Sequence, residues 1–273
     1  MPAKREVTLC IAALCEHKGH EAIVYCSDRK ITEGSASSEV GDKMNWFIPK
    51  WPVVLAGTVF RARKLIDTFR TELDRARITR TTIFDVFKRI PRVHRRKLLD
   101  EESHKQSGLS SYKKFRRNKK QFPDYQTRLS AIDNVDLECN LVLGGFMKDE
   151  AHVFAVYADT TVVYVEDFAA IGSGAELATA MLHKRMHSGK DSLKDTLYHV
   201  YEAKKFAEMD AFVGKKTYID IIEPRGSARP VQKVKIRSVT KKGLNYLKER
   251  HQQFSLQDIA RLKLKKRYIE TYQ

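Results

Sequence analysis

The chain has 273 residues, 42% of them hydrophobic and 31% charged, with a formal net charge of +17. That hydrophobic share supports a sizeable core and excludes a disordered chain, and no run of eighteen apolar residues is present to span a membrane. The N-terminus M-P-A-K-R-E-V lacks the apolar core of a secretory signal, and Cys10, Cys15, Cys26 and Cys139 form no C-x-x-C pair, so the expected setting is the reducing cytoplasm, with neither disulfides nor a zinc site.

Residues 7–14, V-T-L-C-I-A-A-L, have the length and apolar content of a buried strand, and alternation puts Thr8, Cys10 and Ala12 on one face. E-H-K-G-H-E is a hairpin turn with Gly19 at its tip, and residues 22–26 return as a second strand ending at Ser27-Asp28-Arg29. A polar loop follows, then residues 43–48 and 53–56 read as short strands separated by the turn P-K-W-P. Four short strands in succession point to an antiparallel sheet. From Thr58 the period changes: Phe60, Leu65, Ile66, Phe69 and Leu73 predict an amphipathic helix over 59–76. Ile83, Phe84, Phe87 and Ile90 give a second helical pattern that Pro91 should kink or end. Residues 101–131 are polar, basic and poor in periodicity, and read as an insertion or mobile loop with a short helix at 112–118.

Residues 137–146 resume strand character and reach Gly144-Gly145, after which A-H-V-F-A-V-Y and T-T-V-V-Y-V-E make a hairpin around Ala158-Asp159. A-I-G-S-G-A-E-L-A-T-A-M-L is a strand end, a Gly-Ser-Gly turn and a helix; a second helix over 193–209 follows the Ser188-Gly189 turn. K-T-Y-I-D-I-I and V-Q-K-V-K-I-R alternate as a final hairpin across 224–230. Strands, two helices, strands, two helices, strands: this order predicts an α+β domain of two packed sheets flanked by helix pairs. The domain is expected over 7–239, with a basic insertion at about 77–135 and a basic helical C-terminal extension over 240–273.

The charge is concentrated in two places. Residues 88–120 carry thirteen Lys/Arg against three acids, and residues 231–273 carry twelve against three, on a nearly neutral body. Such segments dock nucleic acid or an acidic protein, or serve as solvated faces. His183 and His187 fall at i, i+4 on one helix face; without a third ligand or an H-E-x-x-H pattern they read as a surface pair rather than a metal clamp.

In order and spacing, two blocks of motifs resemble a known family. The first is T-x-C-I-A, Ser27-Asp28-Arg29 with Gly34 beyond it, Lys43, and L-A-G at Gly57; the second is L-G-G-F, I-G-S-G-A-E-L-A and M-D-A-F-V-G. Together they are similar to the proteasome subunits and their bacterial relatives, the N-terminal nucleophile (Ntn) hydrolases, over about residues 7–222. The resemblance implies a four-layer α-β-β-α sandwich of two antiparallel sheets. It also implies a threonine-type peptidase acting on peptide or protein within a homo-oligomeric ring or partial ring, or with related subunits, and using neither cofactor nor metal.

In active members a Thr at the mature N-terminus attacks the peptide carbonyl while its own α-amine, with a pKa of about 7.7–8.0, takes the proton. Thr8 is the matching position here. Lys43 matches the lysine that lowers the hydroxyl's proton affinity, and Asp28 matches that lysine's carboxylate partner. Gly57 matches the backbone N–H that stabilises the oxyanion, and Ser173 and Asp210 match polar groups near the Thr amine. Two positions depart from the pattern: the family's second supporting Ser falls on Val213, and Thr8 follows Val7 where active members cleave after Gly. With residues 1–7 retained, Thr8 has an amide nitrogen and no base. Three readings stay open: a threonine peptidase exposed by processing, a non-catalytic proteasome-fold scaffold whose basic segments dock an acidic protein or nucleic acid, and a small-amide amidohydrolase. Thr at this place in a strand is also an ordinary β-former.

Overall fold

The computed structural model describes residues 8–28, 31–33, 36–38, 44–48, 51–75, 80–147, 150–224, 234–253 and 269–271. Gly34, Lys43 and residues 225–233 and 254–268 lie outside them. In chain order the elements are β1 (Leu9–His17), β2 (His20–Ser27), β3 (Ile31–Glu33), β4 (Ala36–Ser38), β5 (Met44–Ile48) and β6 (Trp51–Gly57). Four helices follow: α1 (Val59–Arg75), α2 (Arg80–Ser107), α3 (Tyr112–Arg117) and α4 (Tyr125–Asp133). Then come β7 (Cys139–Met147), β8 (Glu150–Val156), β9 (Val162–Val165), β10 (Phe168–Gly172), α5 (Ala175–Lys184) and α6 (Leu193–Ala207). The chain closes with β11 (Tyr218–Pro224), β12 (Val234–Val239), α7 (Lys241–Gln253) and β13 (Ile269–Thr271).

β1 is apolar on both faces because both are buried. Leu9, Ile11, Ala13 and Cys15 face one core cluster, while Cys10, Ala12 and Leu14 face another, the alternation expected of a central strand. Its turn to β2 uses Lys18 and Gly19, both at positive φ (54° and 78°), a two-residue loop whose twist suits an antiparallel hairpin. These strands sit inside a six-stranded antiparallel sheet ordered β10-β1-β2-β11-β12-β13; β5 to β9 form a second antiparallel sheet in sequence order.

Three cores define the layering. The first joins the outer face of the first sheet to α5, α6 and α7, through Ile11, Val24, Leu182, Leu197, Val200 and Leu247. The second joins the outer face of the second sheet to α1 and α2, through Leu65, Phe69, Phe87, Leu143 and Phe154. The third lies between the sheets, where Cys10, Tyr25 and Ile171 meet Val54, Val142 and Phe146. The protein is thus α+β, with two packed antiparallel sheets and helices on their outer faces. Among the described residues no helix is long and apolar enough to cross a membrane.

Several expectations are corrected. Pro91 does not end α2, which runs on to Ser107. Proline removes one backbone N–H donor, but Phe87, Ile90, Pro91 and Leu98 are all buried, so packing on both sides of the ring holds the helix together. Residues 101–131 are mostly helical rather than a loop, because Phe115, which is fully buried, stacks on Tyr125 and packs against Phe122 to make a satellite core. Phe60 is 63% exposed; the stripe of α1 starts at Ala62 instead. Trp51 and Pro52 belong to β6 and not to the preceding turn. The C-terminal extension is helical through Gln253, and Ile269–Thr271 is a strand on β12.

The L-G-G-F motif is explained by two close approaches on opposite faces of β7. A Cβ on Gly144 would lie 2.4 Å from the Tyr25 hydroxyl of the facing sheet, and one on Gly145 would lie 2.4 Å from the Trp51 ring beneath the helices. Gly145→Ala should therefore lower stability by about 1–3 kcal/mol in denaturant unfolding, and an unchanged midpoint would mean Trp51 moves aside at little cost.

Candidate functional site

The antiparallel pairing of β1 with β2 puts the start of one beside the end of the other, with Cys10 opposite Ser27. Thr8 and Asp28 stand one step further out. Thr8 Oγ1 donates to Asp28 Oδ1 at 3.0 Å, and the Leu9 N–H lies 3.4 Å from the same oxygen. The Asp28 N–H closes the ring by donating to the Leu9 carbonyl at 3.2 Å. Both side chains are buried: Thr8 is 2% exposed and Asp28 0%. The other carboxylate oxygen, Oδ2, accepts the Gly214 N–H at 2.6 Å. A buried carboxylate needs such donors in place of water, and here they come from two distant parts of the chain.

The β10 end encloses Thr8 from the other side, with Leu9 opposite Gly172. Ser173 Oγ donates to the Thr8 carbonyl at 3.3 Å, and the Gly174 N–H is 3.5 Å from it. Gly172 has φ +100°, and a Cβ there would fall 2.3 Å from the Thr8 carbonyl oxygen, so this position requires glycine.

Beyond Asp28, the Gly214 carbonyl accepts from Lys204 Nζ at 2.7 Å, and Lys204 pairs with Glu208 one helical turn on. Gly214 is thus held at its N–H by a buried anion and at its carbonyl by a buried cation. Burial pushes the Lys204 ammonium below its ordinary pKa, and the hydrogen bond it donates to Glu208 opposes that shift.

Of the residues expected from the sequence, Thr8, Asp28 and Ser173 come together directly. Asp210 lies in the same turn as Gly214, where its carboxylate accepts the Phe212 N–H at 2.8 Å and shapes the turn. Gly57 ends β6 in the facing sheet, with φ +98°. The Cys10 thiol donates to the Leu55 carbonyl at 3.4 Å, which brings the end of β6 against the start of β1. Lys43 lies outside the described residues. Val213 is packed and apolar, with a methyl group against Gly174. Lys204, Glu208 and Gly214 were not anticipated. The available signal was Lys204 itself, a charge set on the apolar stripe Leu193, Leu197, Val200 and Ala207 of α6.

A second polar cluster lies at the other end of β1. α5 stops at Lys184, Arg185 caps it and forks onto Glu202 of α6, and Met186 takes φ +51°, which turns His187 inward. His187 is therefore buried, its side chain fully so, while His183 stays exposed against Phe168; they are not the surface pair expected from their spacing. His187 meets Asp191 and His199 instead. Burial lowers both imidazoles below their ordinary pKa, with Asp191 opposing the shift in each.

The cleft lined by Arg61, Leu98, Glu101, Lys105 and Glu138 lies beside α1 and α2 and includes none of the residues around Thr8. No protein-family model and no curated protein matches the chain.

Lys204→Met leaves the Gly214 carbonyl without its buried donor and Glu208 with Lys205 alone. The expected cost is about 3 kcal/mol by urea unfolding, whereas a loss below about 0.5 kcal/mol would show that water replaces the lysine.

Proposed function

We propose that this chain is a proteasome-like Ntn-hydrolase subunit, with Thr8 as the nucleophile of a threonine-type peptidase once the Val7–Thr8 bond is cut. The observation that carries the reading is the 3.0 Å hydrogen bond from the Thr8 hydroxyl to the buried Asp28, at a strand end that Ser173 also reaches. In that state the freed α-amine of Thr8, with a pKa of about 7.7–8.0, takes the hydroxyl proton as Oγ1 attacks a peptide carbonyl. The Gly57 N–H then stabilises the oxyanion, and Lys43, where the family places its lysine, favours the alkoxide electrostatically. Before cleavage the Thr8 nitrogen is an amide and cannot act as base. The expected assembly is a ring or partial ring of like or related subunits, acting on peptide or protein.

A second reading is favoured by the burial of Thr8, 2% exposed, and by Val213, whose methyl group packs on Gly174 where the family carries a supporting hydroxyl. In this reading the fold is a non-catalytic scaffold, and its basic segments dock an acidic protein or nucleic acid.

Intact mass and N-terminal sequencing of the purified protein separate the two. The peptidase reading expects a chain beginning at Thr8 that hydrolyses fluorogenic peptides, with Thr8→Ala lowering kcat/KM by about a thousandfold or more. A chain that keeps residues 3–7 and cleaves nothing favours the scaffold, and full activity in Thr8→Ala rejects the nucleophile.

A further inference from the structure

The second cluster has the arrangement of a metal centre. His187 Nδ1 and His199 Nδ1 are 3.2 Å apart, His187 Nδ1 lies 3.1 Å from Asp191 Oδ2, and His199 Nδ1 lies 3.4 Å from that same oxygen. Three ligand atoms on a tetrahedral Zn²⁺, with bonds of about 2.0–2.1 Å, are separated by about 3.3–3.4 Å. The observed triangle has nearly those edges.

The tautomer of His187 gives a second, independent reason. Its Nε2 faces the Leu14 carbonyl at 3.2 Å, and a carbonyl only accepts, so Nε2 carries the proton. In its neutral form the ring then presents an unprotonated Nδ1 to the carboxylate oxygen of Asp191 and to the other imidazole. Two lone pairs about 3.1 Å apart repel, and a metal ion or a proton between them relieves that repulsion. A backbone carbonyl holding the remote N–H of a ligating histidine is also the usual outer partner of a zinc-bound imidazole.

We infer that His187 Nδ1, His199 Nδ1 and Asp191 Oδ2 bind one divalent transition-metal ion, best matched by Zn²⁺, at the junction of β1 with the α5–α6 connection. Two imidazoles and a carboxylate suit zinc rather than Ca²⁺ or Mg²⁺, which take oxygen ligands. Asp191, with 27% of its side chain exposed, gives the ion its route in and leaves a water as the fourth ligand. The surroundings are already built to place Asp191. Ser188 N–H donates to Asp191 Oδ2 at 3.2 Å, the Asp191 carbonyl accepts the Glu16 N–H at 2.8 Å, and Gly189 N–H is held by Asp167 Oδ1 at 2.7 Å. Leu14 is six residues along β1 from Thr8, about 20 Å away, so the ion is structural and fastens the connection to the strand. This site is independent of the reading of Thr8.

The test uses the full chain, stripped with a chelator and then titrated with Zn²⁺ and, separately, Co²⁺. One Zn²⁺ per chain should bind, Co²⁺ should show the strong visible bands of tetrahedral coordination, and Zn²⁺ should raise Tm. His199→Ala should weaken binding by about a hundredfold or more, and His183→Ala, which alters only the exposed neighbour, should leave it unchanged. Because His199→Ala removes a buried ring, Asp191→Asn is the paired variant: it keeps an acceptor for Ser188 N–H while weakening the ligand, and circular dichroism verifies its fold. Binding that is lost in folded Asp191→Asn and kept in His183→Ala supports the site. The inference is overturned by the absence of saturable binding, by binding that is unaltered in Asp191→Asn, or by binding that disappears in His183→Ala. Each of those outcomes leaves the cluster holding a shared proton and no metal.

Discussion

A buried carboxylate must find its hydrogen bonds within the protein, and Asp28 finds them in three places at once. Its oxygens receive the Thr8 hydroxyl, the Leu9 N–H and the Gly214 N–H. A single acid thereby fixes the start of β1, the end of β2 and the turn that leads from α6 into β11. The Lys204 ammonium on the far side of Gly214 completes the arrangement, so neither charge faces the interior alone. Because one partner without the other would cost several kcal/mol, the geometry around Thr8 is set by packing of the whole first sheet and not by the loop that carries it.

The same sheet connects the two polar clusters. β1 has Thr8 just before its first residue and Leu14 near its last, and both faces of the strand between them are filled by apolar side chains. Such a strand has little freedom to shift register, since a one-residue slip would exchange its two cores. The ends of β1 are therefore held at a fixed separation, one against Asp28 and the Gly-Ser-Gly turn, the other against the 187–191 connection. Two glycines serve the same rigidity: Gly144 of the second sheet admits Tyr25 across the sandwich, and Gly172, at the end of β10 in the first sheet, admits the Thr8 carbonyl.

Much of this layering was legible in the sequence because it is periodic. Apolar runs bounded by turn residues marked the strands in residues 7–26 and 137–166, and the 3.6-residue stripe at Leu65, Ile66, Phe69 and Leu73 marked α1. What was missed depends on contacts between segments. Pro91 looked like a helix end because local propensity does not know that Phe87 and Ile90 are buried against the second sheet. Residues 101–131 showed only the short helix at 112–118, which is α3, because their core consists of a few aromatics, with Phe115 at its centre, too few to set a period. His187 looked exposed because the helix was extended past Lys184, whereas the left-handed backbone at Met186 turns it inward. At the candidate site, Thr8, Asp28 and Ser173 followed from the family resemblance. Lys204, Glu208 and Gly214 did not, since their roles exist only once α6 returns to the end of β2.

Hydrogen exchange at the Gly214 amide measures the central constraint most directly. If Asp28 holds that N–H at 2.6 Å inside the protein, the amide should exchange only through unfolding of the whole first sheet, with protection near that of the β1 and β2 amides, and Asp28→Asn should reduce it sharply. Rapid exchange of Gly214 while β1 and β2 stay protected would contradict the account, because the turn would then open without disturbing Asp28.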